Sequence, residues 1–110
     1  MKYIFLIYED DRDPVSNAPE VGPAYAALAE GWRNRGMHLG GAALQPRETA
    51  TTVRVHDGDR VLTDGPFTET KEVLAGYMIL DCKNLDEALD CAAQMPTASF
   101  GAIEVRPIHG

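Results

Sequence analysis

The sequence predicts an α+β fold: one antiparallel sheet, two helices on one of its faces, and a β-hairpin inserted in the middle. Three observations predict it. Apolar alternation and helical periodicity follow one another along the chain as β-α-β, a hairpin, then β-α-β. Only two stretches carry a helical stripe, and two such helices cover a single face of a sheet. The strands at 2–8 and 73–82 are nevertheless apolar on both faces, which an antiparallel sheet with one wet face would not be. The order is the split βαβ arrangement of ferredoxin-like domains with a hairpin worked into it. At 110 residues the chain is expected to form a single domain, 1–110.

The elements follow in order. In "KYIFLIY" (2–8) Tyr3, Phe5 and Ile7 point one way, and Ile4, Leu6 and Tyr8 the other. An acidic, proline-containing loop follows, "EDDRDPVSNAPEVGP". Pro23 suits a first helical turn, Tyr25, Leu28, Ala29 and Trp32 form one stripe, and Gly36 stands where a C-terminal cap belongs. "MHLGGAAL" (37–44) reads as a glycine-rich strand with a bulge. "TATTVRVHDGDRVLTDG" reads as a hairpin turning at Asp57-Gly58. "EVLAGYMILDC" is a long strand. "NLDEALDCAAQM" is a helix, with Asn84 and Glu87 spaced as a capping box and Leu85, Ala88, Leu89 and Ala92 as the stripe. Pro96 ends it, and "GAIEVRPI" (101–108) is the last strand. The two-faced strands call for a partner that no further element of this chain supplies. The economical partner is a second copy, giving a homodimer with sheets packed face to face.

A net charge of −7 argues against a general nucleic-acid binder, since phosphate contacts need clustered Lys and Arg. The apolar run Val73 to Leu80 is far short of the ~20 residues of a membrane span. The N-terminus turns acidic at once and lacks a small-residue cleavage site, so a signal peptide is not expected. These readings favour a cytoplasmic protein in which Cys82 and Cys91 stay reduced and buried. Metal and cofactor signals are absent. Glu9, Asp10, Asp11 and Asp13 lack the glycine and distal glutamate of a calcium loop, and His38, His56 and His109 have no zinc spacing. Neither a dinucleotide fingerprint nor a nucleophile elbow occurs.

Chemistry could sit in two places. If Val53, Val55, Ile103 and Val105 pack on the helices, Arg54, Glu104 and Arg106 face the space between two sheets, with Tyr8 and Tyr77 as aromatic walls of a small-molecule cleft. The bland reading is a cross-strand charge ladder. The other place is "TDGPFTETKE". Gly65 and Pro66 stiffen a turn that also holds Phe67, and Asp64 can brace it. Beyond it Glu69, Lys71 and Glu72 could activate a water or share a proton, or equally form an exposed ion-pair cluster of little energetic weight.

"MKYIFLIYED", "GGAALQPRETATTVRV", "DGPFTETKEVLAGYMIL", "LDEAL" and "GAIEVRPI" together resemble the DGPF branch of the YCII-related (YciI-like) proteins across nearly the whole chain. The resemblance implies a ferredoxin-like fold dimerising as a dimeric α/β barrel. The shared motif carries Asp64, Gly65, Pro66, Phe67, Glu69, Lys71 and Glu72 over without saying whether they are catalytic or architectural. If the protein is an enzyme, the expected chemistry is proton transfer by a lyase or isomerase with no metal or cofactor. Asp64, Glu69 or Glu72 would then be the base and Lys71 or an arginine the anion stabiliser. The resemblance also implies the alternative of a non-catalytic interaction domain, since genes of this branch lie beside those of extracytoplasmic-function sigma factors. Relatives in the wider group use a His-Asp pair. "AYAALAEGWRNRG" contains no histidine, so that pair does not carry over.

Overall fold

The computed structural model describes residues 1–110. The strands are β1 (Lys2–Glu9), β2 (His38–Ala43), β3 (Thr51–His56), β4 (Asp59–Asp64), β5 (Val73–Asp81) and β6 (Ala102–Pro107), and the helices α1 (Val21–Asn34) and α2 (Leu85–Gln94). Four strands form one antiparallel sheet in the order β2-β5-β1-β6. Each helix thus crosses over one intervening strand, as in the split βαβ arrangement. The β3-β4 hairpin pairs only with itself and forms a second, two-stranded sheet.

Local chemistry explains most boundaries. Helix α1 starts two residues before the proline the sequence pointed to, which costs nothing because first-turn N–H groups have no helical acceptor. It ends in a Schellman motif: Met37 N–H donates to Trp32 C=O at 2.8 Å and Gly36 N–H to Arg33 C=O at 3.0 Å. Helix α2 is capped by the Asn84 side chain, which accepts from Glu87 N–H at 3.0 Å. The Glu87 carboxylate reaches back one residue further than a capping box requires, to Lys83 N–H at 3.0 Å. The hairpin turns at Asp57 and Gly58, both with positive φ (50° and 81°), the primed geometry that matches strand twist.

One face of the sheet carries the core. Tyr3, Phe5, Met78 and Leu80 meet Trp32 of α1 and Ala88, Cys91 and Ala92 of α2, with Met37, Cys82 and Met95 closing the ends. The stripe expected on α2 is rotated: Leu85 and Leu89 are each 48% exposed, while Ala88, Cys91 and Ala92 are buried. Small side chains let the helix approach the strands closely, and the leucines flank that contact. Cys82 and Cys91 are free, buried thiols. Burial, then the neighbouring Cys91 and Glu87, pushes the Cys82 thiol up to about 11.

The valines of the hairpin correct another expectation. Val53 and Val55 are 58% and 71% exposed, because the hairpin stands off the sheet and the helices never reach it. Ile103 and Val105 of β6 do pack against the core.

Candidate functional site

Strand register settles which sequence candidates share a face. Leu6 lies between Tyr77 and Glu104, Ile4 between Ile79 and Arg106, and Tyr8 between Leu74 and Ala102. Tyr8, Tyr77, Glu104 and Arg106 therefore share the face away from the helices. Arg106 Nε meets Glu104 Oε2 at 3.4 Å, with both side chains substantially exposed. Arg54 is elsewhere. It belongs to β3, and its guanidinium stacks over the Phe67 ring, 4.8 Å from the centroid. Within one chain the hairpin's separation keeps Arg54 from joining Glu104 and Arg106 in one cleft.

The turn at 64–67 is tied to the hairpin base. Gly65 N–H donates to Ala50 C=O at 2.7 Å, and Thr52 Oγ1 donates to Gly65 C=O at 2.8 Å. Gly65 has φ of +101°, so a side chain there would strain the turn. Asp64, the last residue of β4, is exposed, as are Glu69, Lys71 and Glu72. No ion pair joins Glu69, Lys71 and Glu72 to one another, so the charged knot is not the ion-pair cluster considered above. Thr70 Oγ1 donates to Glu72 C=O and folds the segment on itself.

What holds the segment is an arginine that no local pattern in the sequence singles out. Arg47 lies in the 3-10 turn Arg47–Thr49, with its side chain only 12% exposed. Its backbone N–H and Nε donate to the two oxygens of Asp11, both at 2.8 Å, and Nη2 donates to Asp10 Oδ1 at 3.3 Å. On the other side Nη1 donates to Thr70 C=O at 2.7 Å and Nη2 to Lys71 C=O at 2.9 Å. The partners lie up to 37 positions away, beyond any local pattern. The acidic loop thus finds a cation inside the chain. For Asp11, burial opposes ionisation, but the bonds and charge of Arg47 prevail and hold its carboxyl below the usual range.

Beside this clamp a cavity of about 630 Å3 opens between α1 and the helix-facing side of β1, β2 and β5. Glu9, Asp11, Ser16, Tyr25, Arg33 and His38 are its polar residues of most chemical interest, among apolar walls that include Ile7, Val21, Ala29 and Met78. Glu9 is in phase with Tyr3, Phe5 and Ile7, which brings a carboxylate onto the otherwise apolar face. Burial is the main reason its pKa is raised; Ser16 opposes this and the Asp11 charge adds to it. Ser16 Oγ donates its one proton to Asp10 C=O at 2.8 Å. Tyr25 is also raised, first by burial, with Thr97 lowering it and the Glu9 charge raising it. Its hydroxyl donates to Thr97 Oγ1 at 2.7 Å.

A second cavity, of about 530 Å3, lies on the far side of the Leu44–Pro46 segment that both cavities share. Tyr8, Pro66, Phe67, Thr70, Glu72 and Leu74 line it. It gathers part of the sequence-predicted set, whereas Glu9, Tyr25, Arg33 and His38 were not on that set. Extending the β1 alternation by one residue would have flagged Glu9. No group of three or more His, Cys, Asp and Glu side chains is arranged to hold a metal ion.

The YCII-related domain profile matches residues 1–109. The chain belongs to the YCII-related family. An uncharacterised protein, R00369, of Rhizobium meliloti (strain 1021) is 48% identical over 69 residues, 61% of this chain. The match spans 56% of that relative's length. Among solved structures the YCII-related chain is similar to 5-chloro-2-hydroxyhydroquinone dehydrochlorinase of Burkholderia phenoliruptrix AC1100, determined in complex with 2,5-dihydroxybenzoquinone. The TM-score is 0.57 at 18% identity, covering 100% of this chain and 96% of the other. That likeness supports the α+β ferredoxin-like fold.

Proposed function

We propose that this protein binds a small, planar, oxygenated molecule in the cavity between α1 and the sheet and carries out lyase-type proton transfer there, with Glu9 as the acid-base group. The observation that carries the reading is Glu9 itself. A carboxyl whose pKa is raised by burial inside an apolar-walled cavity can exchange a proton nearer neutral pH than a solvated one. In an elimination the Glu9 carboxylate would take a proton from the substrate. The C–H electron pair would become a double bond, and the leaving anion would depart with its own pair. Arg33 and His38 are placed to meet negative charge, and Tyr25 to pack on a ring. The structural neighbour's name, a dehydrochlorinase of a hydroxyhydroquinone, supports both the reaction type and the ligand class.

A second reading keeps the site at Asp64, Glu69, Lys71 and Glu72, on the strength of the second cavity, where Tyr8 and Glu72 share a wall. Either reading is compatible with a homodimer formed through the open sheet face, which would enclose that second cavity together with Tyr77, Glu104 and Arg106. Association with a basic partner, an extracytoplasmic-function sigma factor for one, would draw instead on the net charge of −7 and weaken with salt.

Calorimetric titration with 2,5-dihydroxybenzoquinone separates the readings. Glu9→Gln should weaken binding about tenfold or abolish its pH dependence, and Tyr25→Ala, which removes the ring, should weaken it about tenfold, consistent with losing ~1.4 kcal/mol of interaction. Glu72→Gln should leave it intact. Loss of binding in Glu72→Gln with Glu9→Gln unaffected would move the site to the second cavity.

A further inference from the structure

Resting on the Glu9 reading, we propose that Arg47 is a positioning residue for this cavity: it neutralises Asp11 in the wall beside Glu9 and, through the carbonyls of Thr70 and Lys71, makes the 64–72 segment serve the site by its main chain. The geometry carries this. One guanidinium joins the acidic loop after β1, its own turn, and the segment leading into β5, by five hydrogen bonds of 2.7 to 3.3 Å counting its backbone N–H. A planar fork with most of its donors committed fixes both partners at once, which a lysine could not do. Glu69, Lys71 and Glu72 are exposed, and the segment meets the clamp through the backbone carbonyls of Thr70 and Lys71.

The electrostatic consequence follows from the charges around Glu9. Asp11 comes from its own loop, Tyr25 and Arg33 from α1, and His38 from β2. Arg47 and Arg12 stand against Asp10 and Asp11. With Arg47 in place the negative charge nearest the Glu9 carboxyl is partly cancelled. Without it Asp11 would face Glu9 unpaired, and the Glu9 proton would be held more tightly.

The test is a carbon-13 titration of the Glu9 carboxyl in the full chain, which needs no ligand. Arg47→Gln should move the midpoint up and Asp11→Asn should move it down. Arg47→Gln added to Asp11→Asn should move it little further, because its route through Asp11 is gone. In parallel, trypsin should cut after Lys71 several-fold faster in Arg47→Gln. An unchanged Glu9 midpoint in Arg47→Gln, or an equal shift with and without Asp11, overturns the coupling. Cleavage after Lys71 at an unchanged rate overturns the main-chain role. Should Arg47→Gln not fold, Asp11→Asn still decides, since a midpoint that stays or rises contradicts the proposal. Failure of Glu9→Gln to affect ligand binding would instead remove the proposed function and leave this coupling to stand or fall by the titration alone.

Discussion

At the scale of single residues, the cavity sets Glu9 against the stability of the fold. Its pKa is raised in the folded chain, above the ordinary 4.5, so the folded state binds its proton more tightly than the unfolded state does. That contribution to stability is complete below the unfolded pKa and is lost as pH rises through the folded value. At neutral pH the carboxylate therefore destabilises the fold. Glu9→Gln should raise the melting temperature at pH 7, and the difference from wild type should vanish below about pH 4. The gain should stay below about 1 kcal/mol, because the group is partly solvated and screened. Thermal scans of both proteins from pH 4 to 8 check this; equal melting temperatures at neutral pH would show that Glu9 is not strained. Residues of this kind were only half legible in the sequence. Glu9 could be read by continuing the period of β1, whereas Arg47 could not. Its partners come from two distant loops, and only the folded chain brings them together.

Elements were far more legible, because each has a local cause. The stripe of α1, its terminal Gly36, the Asn84 cap and the Asp57-Gly58 turn all act within a few residues and all reappear in the structure. Packing between elements was less so: α2 turns Ala88, Cys91 and Ala92, not its leucines, to the sheet, and the hairpin stays apart. Gly101 shows how tightly the elements meet. A Cβ there would collide with Tyr8 C=O and lie 2.8 Å from Thr97 Cγ2, one contact with the backbone of β1 and one with the turn Pro96–Ser99. The backbone contact cannot yield without parting β6 from β1. Gly101→Ala should thus destabilise by about 1 to 3 kcal/mol, the range of overpacking in tight cores, as read from urea unfolding. A loss under about 0.5 kcal/mol would mean that the β1-β6 end is looser than the close approach implies.

At the scale of the whole molecule the single chain leaves much apolar surface open. Only 16 of 110 residues are buried, and the smallest extent, 19 Å, is about one sheet plus one layer of helices. The radius of gyration is 15.6 Å, against about 13 Å for a compact chain of this length. The excess has a cause in the hairpin, a two-stranded arm that alone in water is marginal and that exposes Val53, Val55 and Leu62. The open face of the main sheet carries Ile4, Leu6, Tyr8, Leu74, Tyr77 and Ile79, none of them buried. We propose a second copy as the partner for both surfaces. It is present at the same concentration, its sheet has the same apolar face, and two such faces stack at about 10 Å spacing. Light scattering should therefore give a mass of two chains at micromolar concentration. Leu6→Lys, at the centre of the face beside Tyr77 and Glu104, should convert it to one chain and make the hairpin more sensitive to protease. A charge buried at the middle of an interface is opposed by several kcal/mol of desolvation, whereas on a free surface it would have almost no effect. A wild-type mass of one chain, or a Leu6→Lys variant as dimeric as wild type, would mean that the face is covered some other way.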